Sequence, residues 1–405
     1  MRNEVATVPH DRWRAGQRIL CAVLLTVSLV NWRVGDYYAG GFDPVVGAKA
    51  LLSLIALVLA ISALRSTANV PWVGLRTVAI SAAYLVVALL GGFAGGDLLA
   101  NATLVVRVLV VLVTMLCLMM SGSLNEVVGQ TSTGLASVGV FLAVTGLPSY
   151  AAKGRLYGGI LPVNPNGLAL LFGPLVLCAL WRMLNEHRQR WDPVIFVGLT
   201  GATWLTGSRT GLAALLVAVA VIMLVSPHLP APAVVGLVFA VPAVVYLLYF
   251  SPLVSNYFNR GGTQNVTTLN SRTIAWQSAL AAPANFWQHW VGRGLGVKEV
   301  AVSGTYWNAQ ILDSSWLSAY VQAGIAGFAL LALWVLATLV GSARAPQPHR
   351  SLLLGASLYA AINSLLATGL LDAYVLFVVM LLPALGSEIA NVQAHTRGSS
   401  DPFTP

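Results

Sequence analysis

The sequence predicts an all-α polytopic membrane protein with about twelve transmembrane helices, and three observations predict it. Hydrophobic residues make up 57% of the 405 and charged residues only 9%, whereas a soluble domain carries about 25% charged residues. Long apolar runs recur from residue 19 to residue 390, and the charged residues gather between them. An aqueous globule has no interior large enough for that much apolar surface, so lipid is the solvent. The net charge of +9 does not point to nucleic acid, because the basic residues sit in loops between spans, where anionic lipid is their natural counter-charge. Cys21, Cys117 and Cys178 lie singly in apolar runs, which favours inert packing over zinc or disulfide roles. No metal motif and no cofactor motif is present.

The predicted spans, in order, are 19–34, 46–64, 77–95, 98–120, 130–148, 166–184, 193–207, 210–226, 231–250, 314–342, 351–371 and 373–390. Each approaches the ~20 residues that cross ~30 Å of hydrocarbon; 193–207 is the shortest. The basic start followed by the apolar run from Ile19 resembles a signal sequence. However, Asn31, Trp32 and Arg33 follow it where a small-residue cleavage site is needed, so it reads as a retained first helix. The polar tail 391–405 reads as disordered and cytoplasmic. The whole chain is expected to form a single membrane domain.

Orientation follows from the basic residues. An even number of spans puts both termini on one side. That side holds Arg2, Arg12, Arg14, Arg18, Arg65, Arg76, Arg182, Arg188, Arg190, Arg344, Arg350 and Arg397. The other side holds Arg33, Lys49, Lys153, Arg155, Arg209, Arg260, Arg272, Arg293 and Lys298. Four of these nine lie in the long segment 251–312, and long loops weigh less in the positive-inside rule. Both termini are therefore expected in the cytoplasm and the long loop outside it. A loop of that length is expected to be functional. It should carry a helix from Asn270 to Ala282, capped by Asn270 or Ser271 and ended by Pro283. Trp276, Trp287, Trp290 and Trp307 suit a segment lying at the membrane interface.

Arginines on the outer side are disfavoured there, and guanidinium is the best side-chain partner for phosphate. Arg209, in Thr206-Gly207-Ser208-Arg209-Thr210-Gly211, follows a short span. It either sits in a recess below the surface or snorkels to headgroups. Arg272 opens the loop helix, where the macrodipole is already positive; a bound anion would explain it, and so would a solvated surface position. Arg155 precedes the turn and helix-start signal Asn164-Pro165-Asn166. With Arg260 and Arg293 it joins the phosphate cluster or is a plain loop residue. Gly292-Arg293-Gly294-Leu295-Gly296 either cradles phosphate or forms a flexible bend, and Gly91–Gly96 fits helix packing or a turn. Asp313, before Ser314-Ser315-Trp316-Leu317, either caps the following helix or accepts a proton from an attacking hydroxyl. His289 and Glu299 are lesser proton acceptors. Arg107, inside the fourth span, faces a cavity or snorkels.

The order of these motifs resembles the bacterial O-antigen ligases and the O-antigen or exopolysaccharide polymerases. Arg155-Leu156-Tyr157-Gly158 leads into Asn164-Pro165-Asn166; Gly207–Gly211 follows. Then come Ser271-Arg272 with Trp276, Gly292–Gly296, and Asp313–Leu317 running through Ala323-Gly324-Ile325-Ala326-Gly327. The resemblance covers residues 150–345 in detail. It implies a metal-independent, inverting glycosyltransferase of a bacterial inner membrane, with its active site outside the cytoplasm. The donor would be a polyprenyl-pyrophosphate-linked glycan and the acceptor a glycan or glycolipid. Arg209 and Arg272 match the family's two essential arginines, which hold the pyrophosphate; Asp313 would be the base. In this sequence Asp313-Ser314 stands where the ligases have histidine and asparagine, and Gln322 where they have glutamate. That departure favours a polymerase, or a ligase with another acceptor. Two other classes fit the composition. A transporter or flippase of an anionic lipid-linked glycan or solute is one, though no repeated halves are visible. A structural partner in an envelope complex is the other.

Overall fold

The computed structural model describes residues 8–33, 43–64, 74–185, 188–227, 267–283, 285–302 and 309–399. The side chains of 8–11, 267–273 and 397–399 fall outside that description. The described chain is overwhelmingly helical. In order come α1 (Val8–Leu29), α2 (Pro44–Leu64), α3 (Leu75–Ala94), α4 (Leu98–Met119), α5 (Leu124–Thr145), α6 (Leu147–Lys153), α7 (Pro165–Leu184), α8 (Asp192–Leu205) and α9 (Arg209–Val225). They are followed by α10 (Thr267–Ala281), α11 (Phe286–Val291), α12 (Ser315–Arg344), α13 (His349–Leu366) and α14 (Val375–Ser399). The only sheet among the described residues is a hairpin of β1 (Glu299–Ala301) and β2 (Ala309–Ile311), paired antiparallel with Val300 opposite Gln310.

Seven of these helices (α2, α3, α4, α5, α7, α12 and α14) are long and apolar enough to cross a membrane by length and composition. The apolar α8 and α9 are shorter. Helices stand at every predicted span except 231–250, which lies outside the described residues. Several boundaries differ, among them the starts of α1 at Val8 and α5 at Leu124. The final helix continues to Ser399, so the segment expected to be disordered from Asn391 is helical as far as it is described. α13 stops at Leu366, short of the predicted 371, and leaves residues 367–374 as an irregular connection. The loop helix begins at Thr267 rather than Asn270.

The layers follow from burial. In α7 and α14, 83% of the apolar window is buried inside the protein, against 17% in α2, so α7 and α14 form the centre and α2 the lipid-facing edge. Lipid is as apolar as leucine, so small residues that admit close packing must hold such helices together. A Cβ on Gly173 would meet the Tyr359 ring at 2.2 Å, and one on Gly355 would meet Ile222 at 2.6 Å. Tyr359 donates to the Ala169 carbonyl at 2.8 Å and pins α13 to α7. The Arg107 side chain is half-buried within the bundle. It donates to the Ser28 carbonyl at 2.8 Å, in the last turn of α1, where a cation is favoured by unsatisfied carbonyls.

α12 is not continuous. Gly324 has φ 65° and ψ −161°, which breaks the helix. The break frees the Val321 and Gln322 carbonyls, and the N–H groups of Arg293 and Gly294 fill them at 2.9 and 2.8 Å. A side chain at Gly324 would place its Cβ 2.3 Å from the Trp290 carbonyl carbon. Only glycine fits this close approach and this φ.

Candidate functional site

The connections between α3 and α4, between α5 and α7, between α8 and α9 and between α13 and α14 lie at one end of the bundle, here called the upper end. Three of the sequence motifs meet there. Arg155 Nε donates to the Thr206 carbonyl at 3.3 Å and Nη2 to the Gly207 carbonyl at 3.4 Å. Leu156 N–H donates to the Leu205 carbonyl at 3.1 Å. Thus the 155–158 turn is laced onto the end of α8. Ser208 caps α9 by accepting from Gly211 N–H at 3.1 Å, and its hydroxyl donates to Asn166 Oδ1 at 2.7 Å. Asn164 caps α7 by accepting from Gly167 N–H at 2.7 Å. Pro165 at the first helical position suits that start. Gly207 makes the turn with φ 65°, and Gly211 lets α9 close on α7, where a Cβ would lie 2.6 Å from Ala169 Cβ.

Arg209 is thereby fixed as the first residue of α9, half-buried, at a helix N-terminus that favours anions. Arg155 is also half-buried, and its guanidinium sits on neutral carbonyls and lies 5.9 Å from the Tyr157 ring centroid. Among the described residues no carboxylate comes within ion-pair distance of it, so its charge is not cancelled.

The other half of the upper end is the start of α12. Ser314, not Asp313, occupies the cap position. Asp313 stands one residue outside the cap and is half-buried. Ser315 N–H and Oγ both donate to the Ala367 carbonyl, at 3.0 and 2.6 Å, and Ser315 Oγ accepts from Leu370 N–H at 3.2 Å. Trp316 Nε1 donates to Ser364 Oγ at 3.0 Å. The start of α12 is therefore anchored to the C-terminal end of α13. The same α13 packs along α9 on its other side, so α13 lies between the Arg209 motif and the Asp313 motif and carries both at one end.

Sequence reasoning passed over Lys298 and Asp372 as a pair. Lys298 Nζ donates to Asp372 Oδ2 across the connection between α13 and α14. Burial pushes the Asp372 carboxyl up, but the Lys298 ammonium, the Ala373 N–H and Arg107 outweigh it and hold the group below the ordinary value of 3.8. The Lys298 carbonyl accepts from Leu312 N–H at 3.1 Å, so this ion pair ties the residue preceding Asp313 to the α13–α14 connection. A lone acid at the junction of two apolar runs was the available signal.

The remaining predicted residues fall as follows. Arg293 is exposed. Its loop is a packing wedge rather than a phosphate cradle: the N–H groups of Arg293 and Gly294 go to α12, and that of Gly296 goes to Asn101 Oδ1 at 2.8 Å. The Gly91–Gly96 motif receives the same wedge, since a Cβ on Gly91 would meet the Val291 carbonyl at 2.3 Å. Gln322 Nε2 donates to the Val297 carbonyl at 2.9 Å and is buried. His289 is exposed, with Nδ1 3.3 Å from the Tyr320 hydroxyl. Glu299 is exposed on β1. Arg272 lies within α10, with its side chain outside the described residues, as are Arg260 and Trp307 altogether.

The comparison with known families decides how these motifs are classed. A family model described as O-antigen ligase matches residues 194–332. The chain resembles the O-antigen ligase family. The matched stretch begins in α8, contains the Arg209 turn, α10, the glycine wedge and Asp313, and ends within α12. No curated protein matches the chain. The family match and the long apolar helices support a membrane enzyme of polysaccharide assembly; what the family match implies for substrates is no finer than a lipid-linked glycan donor and a glycan acceptor.

Proposed function

We propose that the protein transfers a glycan from a polyprenyl-pyrophosphate carrier to an acceptor hydroxyl outside the cytoplasm, with inversion at the anomeric carbon. The observation that carries this reading is the gathering of the Arg155 turn, the Arg209 helix start and the Asp313 segment at one end of the bundle, on either side of α13. In the proposed step the acceptor hydroxyl oxygen bonds to the anomeric carbon while the bond to the pyrophosphate oxygen breaks. The hydroxyl proton passes to the Asp313 carboxylate, and the pyrophosphate leaves on its carrier. Arg209 and Arg272 stabilise the charge that grows on the leaving oxygen, the main contribution expected in such a site. Arg155 holds the turn before Arg209. Arg260 and Arg293 are outlying contacts to phosphate or sugar. Both termini then face the cytoplasm of a bacterial inner membrane, and the upper end faces away from it.

Asp313-Ser314 and the neutral Gln322 favour a polymerase, or a ligase whose acceptor differs from that of the usual family member. The broken α12 does not favour the transporter alternative. Transporters use the freed carbonyls of such breaks to coordinate ions, and here the Arg293 and Gly294 N–H groups occupy them. The decisive experiment is transfer in vitro by purified protein supplied with a lipid-linked glycan. Arg209→Ala and Arg272→Ala should each lower the rate about 10²–10³-fold; full activity in both would remove the mechanism. Transport of the glycan lipid across sealed proteoliposomes with no new glycosidic bond would replace it with the transporter reading. In a deletion strain, single repeat units on carrier would point to a lost polymerase, and full-length chains on carrier to a lost ligase.

A further inference from the structure

We propose that a lateral groove between α5 and α8 holds the polyprenyl chain of the donor, next to its pyrophosphate; this rests on the glycosyltransferase reading above. The groove has a volume of about 480 Å³ and opens sideways, toward lipid. Thr133, Val140 and Phe141 of α5 form one wall, Leu175 of α7 the floor, and Val194 and Gly198 of α8 the other wall. Its surface is almost wholly apolar. The Thr133 and Ser137 hydroxyls donate within their own helix, to the Gly129 and Thr133 carbonyls at 2.8 Å each, so the polar atoms along α5 ask nothing of an occupant.

The roof connects the groove to the cationic motif. Gly159 N–H donates to the Leu142 carbonyl of α5 at 3.1 Å, and Leu156 N–H donates to the Leu205 carbonyl of α8 at 3.1 Å. The 155–159 turn therefore spans the upper ends of both walls, with Arg155 and the Thr206–Gly207 turn directly above. From Phe141 down to Thr133 the groove runs about 12 Å at 1.5 Å per residue. A ligand with an anionic head and a long branched apolar tail matches a cation-topped apolar groove at this depth. A phospholipid is the competing occupant; its headgroup carries one phosphate where the donor carries two, so it draws less from the cationic roof.

Gly198 provides the test. A Cβ there meets nothing within 4 Å, and replacing a helical glycine removes an unfavourable helix residue. Gly198→Phe thus fills the groove without disturbing the fold. With a long-chain polyprenyl-pyrophosphate-linked glycan, KM should rise roughly tenfold while kcat stays near the parent value, since several methylene-sized contacts are lost. A diazirine-bearing polyprenyl pyrophosphate should label peptides 133–141 and 194–199 of the parent protein. Polyprenyl phosphate should compete with that label and phosphatidylglycerol vesicles should not, and Gly198→Phe should lose it. Labelling on other helices, an unchanged label in Gly198→Phe, or equal competition by phosphatidylglycerol overturns the groove. Labelling is read without turnover, so a protein that takes the label in the groove but transfers no glycan refutes the enzymatic reading alone, and one that transfers glycan but labels elsewhere refutes the groove alone.

Discussion

The two ends of the bundle treat arginine differently. At the lower end three arginines, Arg18, Arg76 and Arg182, meet acids, while Arg350 Nε donates to the Ala345 carbonyl at 2.9 Å. Arg182 Nε donates to Asp192 Oδ1 at 2.9 Å, and that carboxylate is fully buried. Arg18 lies 3.6 Å from Glu126 and also donates to Ser121 and Gln130. Arg76 lies 3.7 Å from Glu388, whose carboxylate also accepts from the Thr77 N–H at 3.0 Å and hydroxyl at 2.6 Å. At the upper end Arg155 rests on carbonyl dipoles. A carboxylate cancels a guanidinium charge, whereas a carbonyl orients it and leaves most of its field for another anion. A guanidinium that meets a carboxylate is therefore a structural element, and Arg155, which meets carbonyls at the end that gathers the motifs, is a candidate ligand group. Arg33 with Asp43, 3.3 Å apart, and Lys298 with Asp372 are upper-end pairs that follow the lower-end pattern; the second serves the scaffold that carries Asp313.

Breaking a lower-end pair should damage stability and spare chemistry. Asp192→Ala strands Arg182 in the interior and should lower stability by about 3–5 kcal/mol, read as a fall in Tm in detergent, with transfer per folded molecule unchanged. Arg209→Ala should do the reverse. Transfer drops, equivalent to about 3–4 kcal/mol of barrier, while Tm moves little. Equal losses of Tm in the two variants would erase the distinction between the ends. Asp372→Asn tests the second upper-end pair. A carboxyl whose folded-state value is depressed contributes stability that is present above the unfolded value and lost as pH falls through the folded one. For Asp372 that loss lies below 3.8. The parent should keep this contribution throughout the ordinary carboxylate range, and the asparagine variant should lack it at neutral pH, as thermal melts across that range would show. The smallest effect should come from Glu388→Gln, which keeps the hydrogen bonds to Thr77 through Oε1 but weakens the pair with Arg76 and gives up the long 3.3 Å bond from the Arg76 N–H. About 0.5–1 kcal/mol is expected, with no change in transfer.

Much of the molecule was legible in the chain. Apolar runs gave helices at the predicted spans that are described, because in lipid the backbone must satisfy itself within each segment. Asn164-Pro165 and Ser208 announced helix starts through residue types that fill orphan N–H groups. Other features were not legible. Asp313 could be read as a cap or as a proton acceptor, and the cap position falls to Ser314. The glycine run 292–296 looked equally like a phosphate loop and a bend. Its role depended on the break at Gly324, whose freed carbonyls no local pattern reveals.

The sequence by itself determined the solvent, the helices and the set of arginines, since these follow from hydropathy and residue type summed along short windows. Tertiary structure alone decided which cations meet acids and which meet carbonyls, that the Arg209 and Asp313 segments share α13 at one end, and that a groove opens between α5 and α8. Those outcomes depend on contacts between residues far apart in the chain, such as Lys298 with Asp372 and Arg155 with Thr206. Their partners are fixed only when the helices pack.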